Sequence, residues 1–401
     1  MSFPLENIGN YVEKVATWNP KQSISEDSFL YIDLSSVDKD AKTIPIEEVQ
    51  EVLSSDAPSR ARQLVEGSDI LVSTVRPNLN GVAIIPKQLS GATASTGYCV
   101  LRAKAQSLDS KYLFYWVQSH LFVNDMVRKA SGANYPAVSD KIIKQSNIPL
   151  PPLEEQKKIA AILDAADALR QKDAQLIDKY NALSQSLFLD MFGDPVTNPM
   201  GWEKMQLGLI CKLQGGFSFK SSDFIDDGVK LVKIANVHFQ NLDWSEVDML
   251  PNSYLDKYPD FALKTGDILM ALTRPIIKSL DSVKAITVKA DDLPALLNQR
   301  VARFKPNKNK INNVYLMRVI YSDYFKNKVA KYSSTSLQPN VSNKQIEATE
   351  MLVPPITLQN QFAERIQHIE AQKQQAQAAL QKSDDLFNSL LQRAFKGELT
   401  A

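Results

Sequence analysis

A chain of 401 residues and 44.8 kDa spans two or three domains at roughly 100–200 residues each, with room for a hydrophobic core in every one. Hydrophobic residues make up 44% and charged residues 23%, with 14 Gly and 20 Pro, which excludes collagen-like, low-complexity and wholly disordered chains. The formal net charge of +1 announces no general affinity for polyanions. Cys99 and Cys211 stand alone, without the paired spacing of a disulfide framework or a zinc site. The opening residues lack the basic and apolar regions of a signal peptide, and no apolar run approaches the roughly 18 residues of a membrane helix. A soluble cytoplasmic protein with no membrane partner is expected.

Taken in chain order, residues 1–150 alternate short β-type runs with Gly, Pro and Asn turns. The runs are Phe29 to Leu34, Asp69 to Val75, Gly81 to Ile85 and Tyr98 to Leu101. A helical stretch follows near Lys111–Arg128. This mixed α/β globule ends at Pro149-Leu150-Pro151-Pro152, where a helix can start but cannot already be running. Glu154 and Glu155 then fall in an opening turn, where they complement the helix dipole, and Gly193 follows Phe192 as a C-terminal stop. Between them Ile159, Ile162, Ala166, Leu169, Leu176, Tyr180, Leu183 and Leu187 recur at steps of three and four, a heptad seam broken at Asp173.

The remaining half repeats this order. Ser68 to Pro77 recurs as Gly266 to Pro275 at an offset of 198. Tyr112, Phe122, Pro136, Val138, Pro151, Pro152, Gln156, Leu187 and Phe192 recur at 203 as Tyr315, Phe325, Pro339, Val341, Pro354, Pro355, Gln359, Leu390 and Phe395. The change of offset places a five-residue insertion between Pro275 and Asn298. The expected segments are a globule over 1–150, a helix over 151–194, a second globule over 195–353 and a second helix over 354–401. The second helix carries a more polar seam that includes Phe362, Ile366, Ile369, Leu386 and Leu390. About 38 residues at 1.5 Å each make a rod of about 60 Å, long for one globule to cover. The fold class expected is α/β: two homologous mixed globules, each followed by a long helix, the helices pairing as an antiparallel coiled coil with pseudo-two-fold symmetry. The alternative is that each helix packs across its own globule.

Charge is distributed unevenly. Residues 1–150 carry 15 basic and 16 acidic groups, 151–194 carry 5 and 8, 195–353 carry 21 and 16, and 354–401 carry 5 and 5. The stretch from Arg300 to Lys331 is densely basic, with Asp323 its single acid and tyrosines interleaved, as expected of a surface that contacts phosphates along a duplex. A solvated helix face gives the same pattern. Polar loops recur beside these stretches and supply the candidate DNA contacts Arg76, Asn78, Asn80, Asn134, Tyr135, Arg274, Lys278, Arg300, Arg303, Gln338 and Asn340. Arg, Asn and Gln make bidentate contacts with guanine and adenine edges in the major groove, although Asn-rich loops are also ordinary turn chemistry.

No motif of a reaction centre is present. The chain has no Gly-x-x-x-x-Gly-Lys-Ser/Thr and no Gly-x-Gly-x-x-Gly, and its Pro-Pro pairs are followed by Leu153 and Ile356 rather than by the aromatic of an adenine-methyltransferase motif. His120, His238 and His368 lie in different elements. A non-catalytic chain is expected, without a metal or cofactor of its own.

These residues together resemble the specificity subunit of type I restriction–modification enzymes. The resemblance covers essentially the whole chain and rests most on four features: Ile148 to Gln156 running into a long helix, Phe192-Gly193-Asp194-Pro195 leading to Gly201-Trp202, the two Asp-Ile-Leu…Arg-Pro segments, and Pro354-Pro355…Gln359. It implies two target recognition domains that each read one half of a split asymmetric DNA site, and spacer helices that set the gap and bind methyltransferase subunits. It further implies that S-adenosylmethionine, ATP and Mg belong to partner methyltransferase and translocating nuclease subunits. The rivals are a stand-alone modification enzyme, disfavoured by the missing motifs, and an adaptor that joins proteins without reading DNA.

Overall fold

The structure, a computed structural model, describes residues 3–22, 27–277, 282–333 and 340–399. The chain divides into two compact units, residues 1–175 with 376–401, and residues 176–375. Each unit is built around one globule, and each long helix contributes its first half to one unit and its second half to the other.

In the first unit, a four-stranded antiparallel sheet places Tyr98–Ala103 between Val12–Glu13 and Ile70–Ser73, with Val82–Ile84 at the edge. Ile70 to Val72 and Tyr98 to Leu101 are buried without interruption, because both faces of these strands are covered. The helices Ser110–Trp116 and His120–Lys129 contribute Tyr112, Leu113 and Phe122 to one core, and Ile32, Leu71, Val100 and Tyr98 lie in another. Asp109 and Ser119 cap these helices by accepting from the Tyr112 and Phe122 amides, the usual role of such residues at a helix start. A second sheet joins Gln50–Leu53, Ser28–Ile32, Thr93–Ser95 and Ala61–Leu64.

The second unit repeats the first sheet in register. Ile70 faces Leu101 and Ile84; Ile268 faces Phe304 and Thr287. The positions Leu101 and Ile84 thus recur at 203 while Ile70 recurs at 198. The five extra residues therefore lie between Pro275 and Ala285, where Ile276–Ile277 pairs with Ser282–Val283. Cys211–Gly215 forms the other edge of this sheet, and Val229–Val232 pairs with Asp248–Leu250 and Ala295–Leu297 in a separate one.

The proline-led helix starts are fastened identically. Gln156, fully buried, accepts from the Asp109 amide at 2.9 Å and donates to the carbonyls of Ser107 and Pro151. Gln359 accepts from the Asn312 amide at 2.9 Å and donates to those of Lys310 and Pro354. Tyr112 and Tyr315 hydroxyls donate to the carbonyls of Pro149 and Leu352 in the short strand just before each helix. The helices run over Leu153–Phe192 and Ile356–Lys396. Gly193 and Gly397 end them at φ 75° and 76°, the left-handed stop that glycine takes without steric cost.

Both units pair the two helices. In the first, Ile159, Leu163 and Ala166 share a core with Phe387, Leu391, Ala394 and Phe395. Phe395 packs on Tyr112, and Phe387 on Tyr115, whose hydroxyl donates to Asp164; Arg170, a turn and a half later, reaches back to Asp384, so the segments are antiparallel. In the second, Phe188 and Phe192 pack on Phe362, with Ile366 in the same core. The helices therefore do not lie only across their own globules.

The expected seam needs correction. Ile159, Phe362 and Ile366 are buried, and Tyr180, Leu187, Ile369 and Leu390 are half-buried. Ile162, Leu169, Leu176, Leu183 and Leu386 are exposed, by 37%, 46%, 39%, 49% and 46%. The inward row of the central helix runs through Ile159, Leu163, Ala166, Arg170 and Ser184, one residue from the row of large leucines. Arg170 holds its place by pairing with Asp167 at 2.5 Å and stacking on Phe387 at 4.7 Å. A polar residue with partners thus takes a seam position that hydrophobicity alone assigns to its neighbour.

Candidate nucleic-acid interface

The repeated Asp-Ile-Leu…Arg-Pro segment is a turn, a buried strand and an exit loop. Asp69 and Asp267 each accept from the backbone amide three residues earlier, Glu66 and Lys264, at 2.8 and 2.9 Å. Each then binds an arginine from the neighbouring strand. Arg102 donates to both Asp69 oxygens, and this carboxylate raises the Arg102 pKa. Arg303 pairs with Asp267 at 3.0 Å, donates to Gln214 and to the carbonyls of Ala262 and Asp260, and is 3% exposed. Arg303 is thereby removed from the expected DNA surface: its guanidinium is consumed inside the globule, where an unpaired charge would be very costly.

At the exit, Arg76 and Arg274 occupy matching positions with φ 51° and 47°. A side chain in this left-handed region costs roughly 1–2 kcal/mol, and such strain persists where surrounding bonds over-determine the backbone. In the first unit Arg76 N–H donates to the Pro136 carbonyl at 2.7 Å and Val138 N–H to the Thr74 carbonyl at 2.9 Å. In the second, Val341 N–H donates to the Leu272 carbonyl at 2.8 Å, and the Thr273 hydroxyl bonds the Asn340 side chain at 2.6 Å. Arg76 and Arg274 are exposed, each followed by a buried proline.

The structure brings the first-unit candidates together. The Arg76 guanidinium lies 4.7 Å from the centre of the Tyr135 ring, a cation–π contact. Asn78, Asn134 and Tyr135 are exposed. Asn80 faces inward instead, its amide donating to the Gln118 carbonyl at 3.2 Å while its backbone carbonyl accepts from Lys42; its φ of 47° ends the loop, so it shapes the turn. Burial lowers the Lys42 pKa to about 8. In the second unit Arg274, Arg300 and Asn340 are exposed, and the Leu272 amide joins the Arg300 carbonyl at 2.9 Å. Lys278 and Gln338 lie outside the described residues.

The basic run with interleaved aromatics divides on inspection. Tyr315 and Phe325 are buried, and the Tyr321 and Tyr324 hydroxyls donate to the carbonyls of Ala285 and Glu350. Lys326 pairs with Asp323, and Arg318 is half-buried, its pKa lowered by burial. These rings pack inward rather than forming a stacking platform. Among the described residues no three His, Cys, Asp or Glu side chains gather as metal ligands, and no helix is long and apolar enough to cross a membrane.

The type I restriction modification DNA specificity domain matches the chain twice, over residues 35–179 and 199–382. The chain belongs to the type I restriction–modification specificity-subunit family. It is 33% identical over 319 residues to the MjaVIII specificity subunit of Methanocaldococcus jannaschii, covering 77% of this chain and 73% of that one. It is 30% identical over 236 residues to the EcoAI specificity subunit of Escherichia coli, covering 58% and 38%. A solved chain from a study of type I restriction–modification complex assembly and conformational transition superposes with a TM-score of 0.59 at 23% identity, covering 99% and 98%, which shows the fold.

Against the family's specificity subunits, the motifs that carried the resemblance take structural meanings. The Pro-Pro…Gln run is the buried glutamine clasp at each helix start, and Asp69 and Asp267 anchor the strands that end at Arg76 and Arg274. The repetition of these residues at fixed offsets was the available signal; it marked the aspartates without revealing that they are consumed internally, and it did not mark Arg303, whose counterpart at 203 is Val100.

Proposed function

We propose that this chain is the DNA-specificity subunit of a type I restriction–modification complex in the cytoplasm, a non-catalytic positioner in which each globule reads one half of a bipartite asymmetric site. The observation that carries the reading is the recurrence, in both units, of an exposed arginine held in a left-handed turn at the end of the same buried strand. Phosphate contacts along the duplex supply register, and side chains on these loops supply sequence. The two loops differ, Arg-Pro-Asn-Leu-Asn against Arg-Pro-Ile-Ile-Lys, so two different half-sites follow.

The two helices set the distance between half-sites, and the exposed row Ile162, Leu169, Leu176 and Leu183 docks methyltransferase subunits. An apolar row at seven-residue spacing that the fold leaves uncovered favours a protein partner. Those partners hold S-adenosylmethionine and flip the adenine to be methylated; ATP and Mg belong to the nuclease subunits. The test is DNA binding by the complex with its methyltransferase. Sequence-specific binding that weakens steeply with salt is expected, and assembly without any specific binding would leave an adaptor instead.

A further inference from the structure

Residues Asn298–Val301 form a tight turn, Val301 N–H donating to the Asn298 carbonyl at 3.3 Å. Three further bonds fix it. Asn298 N–H donates to the Val232 carbonyl at 3.1 Å, Gln299 N–H to the Phe217 carbonyl at 2.8 Å, and the Arg300 carbonyl accepts from Leu272 N–H at 2.9 Å. Gly216 makes this approach possible, since a Cβ there would lie 2.0 Å from the Asn298 carbonyl oxygen. The turn's backbone is therefore imposed from several elements at once. Its two corner side chains, Gln299 and Arg300, are exposed, and among the described residues neither has a hydrogen-bonding or ionic partner. Arg300 sits at φ 65°, where glycine would rest without steric cost.

The first unit has a turn in the same place, though Gly97, which stands where Arg300 does, is not left-handed. Thr74 N–H donates to the Gly97 carbonyl at 2.9 Å, the counterpart of the Leu272–Arg300 bond, so this turn too stands beside the strand end that leads to the exposed arginine. Its sequence is Ser95-Thr96-Gly97-Tyr98. Turns at matching positions thus carry Gln-Arg in one unit and Thr-Gly in the other, and only the Gln-Arg turn takes a left-handed residue.

We propose that the Asn298–Val301 turn is a specificity-determining element of the second globule, with Gln299 reading an adenine of the second half-site and Arg300 a neighbouring base or phosphate. The assignment rests on the DNA-reading function proposed above. A Gln side chain bonds adenine N6 and N7 together, and Arg bonds guanine O6 and N7. A backbone held in advance keeps such side chains aimed without ordering a loop on binding. Thr96 offers one short hydroxyl, so the first globule reads less at the matching point.

The test uses the complex of the full chain with its methyltransferase partner and maps methylated adenines for the unaltered chain, Gln299→Ala and Arg300→Gly. Gln299→Ala is expected to leave the first half-site and the spacing unchanged while discrimination at one adenine of the second half-site falls roughly 10- to 100-fold. Arg300→Gly is expected to weaken binding to the target duplex by about tenfold or more while its thermal midpoint stays equal or rises, a combination that a structural role would not give. An unchanged second half-site in both variants would overturn the assignment. If the unaltered complex methylates no specific site, the DNA-reading function itself falls, and this element with it.

Discussion

At the scale of single residues, the same side-chain type does opposite work depending on what meets it. Arg102 and Arg303 are held by Asp69 and Asp267, whereas Arg76 and Arg274 are exposed on strained backbone. Replacing Arg76 or Arg274 by alanine is expected to weaken methylation of target DNA by about 1–3 kcal/mol, the worth of a good bidentate base contact. Replacing Arg303 is expected to destabilise the second globule by about 3–5 kcal/mol by leaving Asp267 uncompensated, seen in denaturant unfolding. Unchanged methylation by both exposed-arginine variants would take them off the DNA surface. Lys42 gives a pH signature. Burial lowers its pKa to about 8 from 10.5, so between those values the unfolded chain holds a proton that the folded lysine has released. Lys42 thus contributes a rise of stability with pH, opposite in sign to the contribution of the buried Cys99 and Cys211 thiols, whose pKa burial raises. Asp38, Asp40, Lys39 and Arg170 are its charged neighbours. The Lys42→Met variant is expected to lack this contribution; an unfolding free energy that varies with pH identically in both proteins would refute the burial.

At the scale of elements, the buried glutamine clasp explains why a Pro-Pro step precedes each helix. The prolines start the helix, and the glutamine ties its first turn to the loop that opens the helix Ser110–Trp116 in one half and Asn313–Ile320 in the other. Gln156→Leu or Gln359→Leu leaves buried backbone groups unpaired, at about 1–3 kcal/mol each, and equilibrium unfolding is the measurement; a loss below 1 kcal/mol would show the clasp to be dispensable. The helices themselves were legible in the sequence, including their starts at the proline steps and the end of the first at Gly193, because proline, glycine and three-four spacing act locally. The repeat was legible for the same reason. The inward row was not, since Ile162, Leu169 and Leu176 have the same period as Ile159, Leu163 and Ala166. Only tertiary partners, Phe387 and Asp384 around Arg170, decide between rows one residue apart. Site loops were legible as positions but not as roles, because exposure and internal pairing depend on strands distant in sequence. Changing Leu169 and Leu176 to serine is therefore expected to leave stability within about 0.5 kcal/mol, as for ordinary surface changes, and to weaken association with the methyltransferase subunit in a titration. Phe362→Ala, in the core, is expected to cost about 3–5 kcal/mol.

At the scale of the whole molecule, a net charge of +1 conceals an acidic first helix and a basic second globule. Two copies of one globule-plus-helix unit account for the length, and their Arg-Pro loops differ in sequence while following matching strands. If the helices set the gap, removing one heptad from each should shift the half-site spacing without changing the bases read. The most direct measurement of the central claim is to exchange the second globule, residues 195–353, for that of a relative, and map methylated adenines in cells that also carry the methyltransferase. One half-site should change while the other half-site and the spacing persist; a site that changes throughout, or not at all, would contradict two independent readers on one frame.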